Sequence, residues 1–213
     1  MKDKSGLLGM MKLGIILAIF AAAACIMLAF VYTGTSTIIA HRQQADLDAA
    51  LRELFSDADD FVLVYDIQSP DRAVAIENSY AVIKNNEIIG AVLSLSRASY
   101  NGQIKIMTGV SAMGAITGVK IMEHTDTPGL GANAASSSYF VDRAGGITFY
   151  GQFTGKKITD PFEVKNDVIT ITAATVTSEA VSSSVKAAAL AVAQWLKDAD
   201  VNLLPAVSTG GEK

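Results

Sequence analysis

From Leu13 to Tyr32 the chain runs LGIILAIFAAAACIMLAFVY, an apolar stretch without a single charge. A helix rising about 1.5 Å per residue needs roughly twenty such residues to cross a hydrocarbon layer about 30 Å thick. The pattern predicts a transmembrane helix over residues 13–33, because a soluble helix would break the run with a polar face. A cleaved signal peptide is the rival reading, although the run exceeds the apolar core of about 7–15 residues usual in such peptides. Cys25, after a run of alanines, has the look of a lipoprotein processing position, but the apolar residues continue past it. Lys2, Lys4 and Lys12 precede the span, and Arg42 is the first firm positive charge after it. The positive-inside rule then puts residues 1–12 in the cytoplasm and everything beyond the span on the extracytoplasmic side of the cell membrane.

Past the span the period changes. TGTST reads as a joint, opening a linker and helix region over 34–77. Within it Leu47, Leu51, Leu54 and Phe55 recur at helical spacing, which predicts an amphipathic helix from about Ala45 to Phe55, ended by SDADD. SYAVIK and EIIGAVLSLS flank Asn85-Asn86, a hairpin signal. QIKIMTGVS and AITGVKIMEH read as a second antiparallel pair. Four strands with no helix between them predict an antiparallel sheet. TDTPGLGANA is a loop by its Pro and Gly content. Val181, Val185, Ala188, Val192, Trp195 and Leu196 then form one stripe, predicting a closing helix with Thr177 or Ser178 as its cap. The expected fold is α+β: a single N-terminal transmembrane helix, then a domain over 78–200 with an antiparallel sheet and packed helices, then a polar tail over 201–213.

Composition narrows the function. The chain carries 17 Lys and Arg against 21 Asp and Glu, with no basic patch that would fit nucleic acid. Cys25 is the only cysteine and lies inside the apolar run, so the outer part has no disulfide and no cysteine-ligated cluster. His124 stands beside Glu123 and Asp126, but the only other histidine, His41, abuts the membrane span, so no His-rich metal site is expected.

Two segments carry candidate chemistry. Thr172-Ala173-Ala174-Thr175-Val176-Thr177-Ser178 is small and rich in hydroxyls, and it stands where the closing helix begins. A phosphate there would meet unpaired N–H groups and a favourable dipole, although the same hydroxyls serve equally well as simple caps. The second segment is Glu123-His124-Thr125-Asp126-Thr127-Pro128-Gly129-Leu130-Gly131. Its glycines permit close backbone approach to a flat ligand, and Leu130 offers an apolar face. GLGANA also fits the dinucleotide fingerprint, but Pro128 intrudes and no strand–helix–strand unit surrounds it.

TAATVTSEAV resembles the flavinylation motif of FMN-binding domains, Ser/Thr-Gly-Ala-Thr followed by small or hydroxyl residues. In that family the last Thr is esterified to the FMN phosphate by a separate flavin transferase, and Thr175 matches it. Ala173 stands where Gly is usual, and Ile169 where an acidic residue is frequent, with Asp167 nearby. EHTDTPGLG is similar to the EH-x-E-TPGLG loop of the G subunit of Rnf complexes, with Asp126 where Glu is commoner. FYGQFTGKKI and TGVSAMGAITGVKIMEH also resemble family segments, so the likeness covers about 78–197 in detail. The C subunit of the sodium-pumping NADH:quinone oxidoreductase shares the flavinylation motif but is usually longer.

The resemblance implies an electron-transfer subunit with covalent FMN on Thr175. Thr172, Ala173, Ala174, Thr177 and Ser178 would surround the phosphate. Glu123, His124, Thr127, Pro128, Gly129, Leu130 and Gly131 would serve the isoalloxazine ring. It further implies work within an Rnf-type ferredoxin:NAD+ oxidoreductase that couples electron flow to ion translocation. The partners implied are the other membrane subunits and a maturing flavin transferase. No residue is expected to be catalytic, and the chain alone should turn over no substrate. Two other readings stay open: a non-redox, membrane-tethered assembly module, and an independent anchored flavoprotein serving another extracytoplasmic reductase.

Overall fold

The structure, a computed structural model, describes residues 4–198. The chain divides after Asp48 into two units. The first is one length of helix, part of α1 (Lys4–Leu54), and from Gly9 onward it is long and apolar enough to cross a membrane. The expected joint at TGTST is helical instead. Thr33 Oγ1 donates to the Ala29 carbonyl and Thr35 Oγ1 to that of Val31, both at 2.8 Å. Hydroxyls bonded back along the helix in this way satisfy themselves without leaving it, so a polar cluster need not be a break.

The second unit starts at Ala49, and its frame is a five-stranded antiparallel meander in the order β1-β2-β3-β4-β5. The strands are β1 (Asp60–Val64), β2 (Val74–Lys84), β3 (Glu87–Ser99), β4 (Gly102–Ser111) and β5 (Ile116–Glu123). The four expected strands are present, and β1 is an addition. It pairs with β2 from Asp60↔Ile83 to Val64↔Ser79, directly after the acidic cluster read as a helix stop. Asn85 and Asn86 take φ of 51° and 65° between β2 and β3, the left-handed pair that a two-residue hairpin turn requires.

The closing helix α2 (Thr175–Asp198) packs on one face of the sheet. Leu93 and Leu95 of β3, and Ile104 and Ile106 of β4, meet the stripe Val181, Val185, Ala188 and Val192, all fully buried. Burying such a Val or Leu contributes roughly 1.5–3 kcal/mol. Phe149 and Phe153 join this core edge to face, with centroids 5.7 Å apart. They belong to the segment between β5 and α2, which also holds a short ribbon, β6 (Phe140–Asp142) with β7 (Ile147–Thr148).

The opposite face receives the last turn of α1. Gly90, Gly109 and Gly118 lie on three neighbouring strands, and β-carbons there would meet the Phe55 ring at 2.8 and 3.1 Å and Leu54 Cδ2 at 2.9 Å. Their missing side chains form the trough that Leu54 and Phe55 fill, and Lys120 pairs with Glu53 at its edge. Ala50, Leu51, Leu54 and Phe55, in the stretch expected as an amphipathic helix, are buried, while Ala49, Arg52 and Glu53 are exposed. The tail 201–213 lies outside the described residues.

Candidate functional site

The site forms where three pieces of chain meet: the β3–β4 turn, the loop after β5, and the start of α2. The first residue of that helix is Thr175, ahead of the cap expected at Thr177 or Ser178, so these two stand inside the first turn. Both are buried and committed. Ser178 Oγ donates to the Ala174 carbonyl at 2.9 Å and accepts the Ile171 N–H at 3.0 Å, which closes the chain entering the helix. Thr177 Oγ1 donates to Asp126 at 2.8 Å. Thr175, half-buried, differs from both, since its hydroxyl makes no hydrogen bond among the described residues.

The approach to Thr175 is strained. Ala173 has φ of 59°, a left-handed conformation that costs a residue with a side chain roughly 1 kcal/mol. Glycine, usual at this place in the family resembled, adopts it freely. Thr172 and Ala173 are exposed and Ala174 is buried, so the segment presents its N-terminal backbone outward. Upstream, the Gln152 amide grips the Ile169 backbone on both sides, accepting its N–H at 2.7 Å and donating to its carbonyl at 3.1 Å. The Ile169 side chain itself is half exposed.

Asp126, noted in sequence only as a departure, is the junction of the site. It is 5 % exposed, and its Oδ2 accepts from Ser99 Oγ at 2.6 Å as well as from Thr177. Its Oδ1 accepts the Asn101 N–H at 3.0 Å. Burial works against its charge, but these three donors and the neighbouring His124 outweigh it and hold the carboxyl below its ordinary value. Thr125 and Asn101 exchange two further bonds, of 2.6 and 2.8 Å, between the same loop and turn. Gly131 is buried where a β-carbon would lie 2.6 Å from Thr177 Oγ1 and 2.8 Å from Asp126 Cβ.

The remaining loop residues divide by exposure. Thr127, Pro128, Gly129 and Leu130 are exposed, and Gly129 has φ of 78° with open space around it. Leu130 is thus an apolar side chain displayed at the mouth of the site. Glu123 is instead paired with Lys105 at 3.1 Å. His124 is half-buried, and its Nδ1 is buried without a hydrogen-bond partner. Among the described residues no group of His, Cys, Asp and Glu could hold a metal.

Asp167 serves the loop before α2. It accepts from Lys156 Nζ at 2.8 Å and from the Glu163 and Phe162 N–H groups at 2.7 and 3.2 Å. Burial again opposes the charge, and Lys156 with the two N–H groups overcomes it, lowering the carboxyl below its usual range. At about 100° per residue Thr175, Glu179 and Ser182 share one side of α2, while Thr177 faces the other. Glu179, Ser182 and Ser183 border a cavity of about 390 Å³ with Arg97 and Phe162.

The arrangement fits a phosphorylated, flat ligand. It offers an uncommitted hydroxyl at a helix start, a loop that displays apolar and glycine backbone surface, and a buried imidazole nitrogen lacking a partner. The FMN-binding domain family matches residues 99–190, and the RnfG N-terminal region matches residues 1–54. The G subunit of the Na(+)-translocating ferredoxin:NAD(+) oxidoreductase complex of Acetobacterium woodii is 30% identical over 191 residues, covering 82% of this chain and 87% of that one. The G subunit of the proton-translocating ferredoxin:NAD(+) oxidoreductase complex of Clostridium ljungdahlii is 32% identical over 169 residues, covering 76% and 80%. The crystal structure of Shewanella oneidensis NqrC aligns with TM-score 0.45 and 14% identity, over 69% of this chain and 88% of that one.

Proposed function

This chain belongs to the family of G subunits of ion-translocating ferredoxin:NAD+ oxidoreductase complexes, and from that premise we propose that it is an electron-transfer subunit carrying FMN esterified through phosphate to Thr175. The observation that carries the reading is the contrast among three hydroxyls at one helix start. Thr177 and Ser178 are buried and bonded, whereas Thr175 is accessible and uncommitted.

Each part of the site has a task in this reading. The N–H groups opening α2 and its dipole receive the phosphate, and the exposed Thr172 and Ala173 leave room for it to approach. Leu130 and the Gly129 backbone cover an apolar ring face, and the free Nδ1 of His124 offers a polar contact. FMN, once attached, supplies the redox chemistry, while the chain orients it and fixes the local charge. Thr175 is an attachment point and no side chain here acts as a catalytic acid or base. The three lysines before the span favour a domain on the outer side of the membrane, where it would pass electrons between membrane subunits of the complex.

The test is the intact mass of the full chain, co-expressed with a flavin transferase, beside Thr175→Ala. The expected result is a gain of one FMN less water in the wild type, with flavin fluorescence surviving denaturation, and neither in the variant. An unmodified wild-type chain, in a host that flavinylates a control domain, would sink the proposal and leave the assembly module as the better reading.

A further inference from the structure

Resting on that reading, we infer that Asp126 is a positioning residue: it ties the Thr127–Gly131 loop to the first turn of α2, and its fixed negative charge lowers the reduction potential of the flavin on Thr175. The tie is in the geometry. Asp126 directly precedes the loop, and Thr177, which donates to it, is two residues beyond the attachment point. Thr177 faces the other side of α2 from Thr175, so the carboxylate acts through the Thr127–Gly131 loop that covers the ring in that reading rather than through Thr175 itself. Ser99 and Asn101 anchor the same carboxylate to the β3–β4 turn, so it cannot swing away without breaking three bonds.

The charge follows from the donor set. Two O–H groups on one oxygen and an N–H on the other suit an acceptor-only carboxylate, whereas an asparagine amide would turn N–H donors towards donors. Among the described residues no ion pair neutralises Asp126. His124 is the neighbouring group that opposes its charge, and the field acts in a buried setting, where screening by water is small. An electron added to a nearby ring works against that field, which stabilises the oxidised state.

The test uses the full chain flavinylated in membranes and purified in detergent, with midpoint potential and visible circular dichroism of the bound flavin as readouts. Asp126→Asn should raise the potential and alter the visible dichroism. Thr177→Val keeps the charge and cuts the tie, so its dichroism should change while its potential stays at the wild-type value. A flavinylated Asp126→Asn with wild-type potential, or a Thr177→Val with wild-type dichroism, would overturn the inference. Should Asp126→Asn load no flavin, Asp126→Glu and Thr177→Val decide, since both retain the charge and a raised potential in either is incompatible with it. Absence of covalent flavin from the wild type fails the underlying reading instead, so the two failures are distinct.

Discussion

Gly131 and Thr177 are packed so closely that a single β-carbon on the glycine would stand 2.6 Å from the threonine hydroxyl oxygen. Asp126 closes the other side, with its Cγ 2.9 Å from the same point. Neither neighbour can retreat, because the two are hydrogen-bonded to each other. Gly131→Ala should therefore destabilise the protein by about 1–3 kcal/mol, the usual scale of overpacking. A urea titration would show this as a lower midpoint, accompanied by reduced flavin loading.

Ala173 gives the opposite prediction. Its φ of 59° favours glycine, so Ala173→Gly should gain about 1 kcal/mol through relief of backbone strain. For a domain of this size the melting temperature should rise by about 2–4 °C. A fall in melting temperature would mean that the left-handed turn before Thr175 is not retained in solution.

Acid should weaken the sheet domain through Asp126 and Asp167. Both carboxyls are held below their ordinary value in the fold, so the unfolded chain binds protons first as pH falls. Their contribution is fully present above the ordinary value, about 3.9, and is lost as pH drops through the lowered folded values. Urea midpoints should hold steady from pH 7 to about 5 on this account and fall below about 4. Asp167→Asn should make that acid limb shallower, and an unchanged limb would count against the assignment.

The trough of Gly90, Gly109 and Gly118 sets where a detached domain can begin. A fragment starting at Ala49 keeps Leu51, Leu54 and Phe55, each of which is buried. A fragment starting at residue 57 lacks all three, and the loss of each large core side chain costs about 2–5 kcal/mol. The longer fragment should melt cooperatively by calorimetry, and the shorter one should show no cooperative transition.

What the sequence disclosed was what depends on pattern. The stripe Val181, Val185, Ala188 and Val192, the Asn85-Asn86 hairpin and the apolar span are repeats or local turn chemistry, and each is present. What stayed hidden depends on partners distant in the chain. Thr33 and Thr35 read as a break because their hydroxyls carry no mark of the carbonyl each would bond. The strand β1 was masked by the acidic residues before it. Asp126 looked like a mere substitution, since its partners Ser99 and Thr177 lie 27 and 51 positions away. A buried acid flanked by threonines beside a glycine loop was the available signal, and periodicity does not register it.

The meander has a consequence for the order in which the molecule assembles. Every sheet neighbour is also a sequence neighbour, so the five strands can zip through short loops that cost little closure entropy. The whole of α2 must travel far, since its stripe meets Leu93 and Leu95 and Ser99 meets Thr177 across 78 positions. α2 is thus expected to be the last element docked and the first released. Hydrogen exchange should find its amides opening well before those of the central strands, which leaves Thr175 presented on a nearly finished scaffold at the moment of maturation.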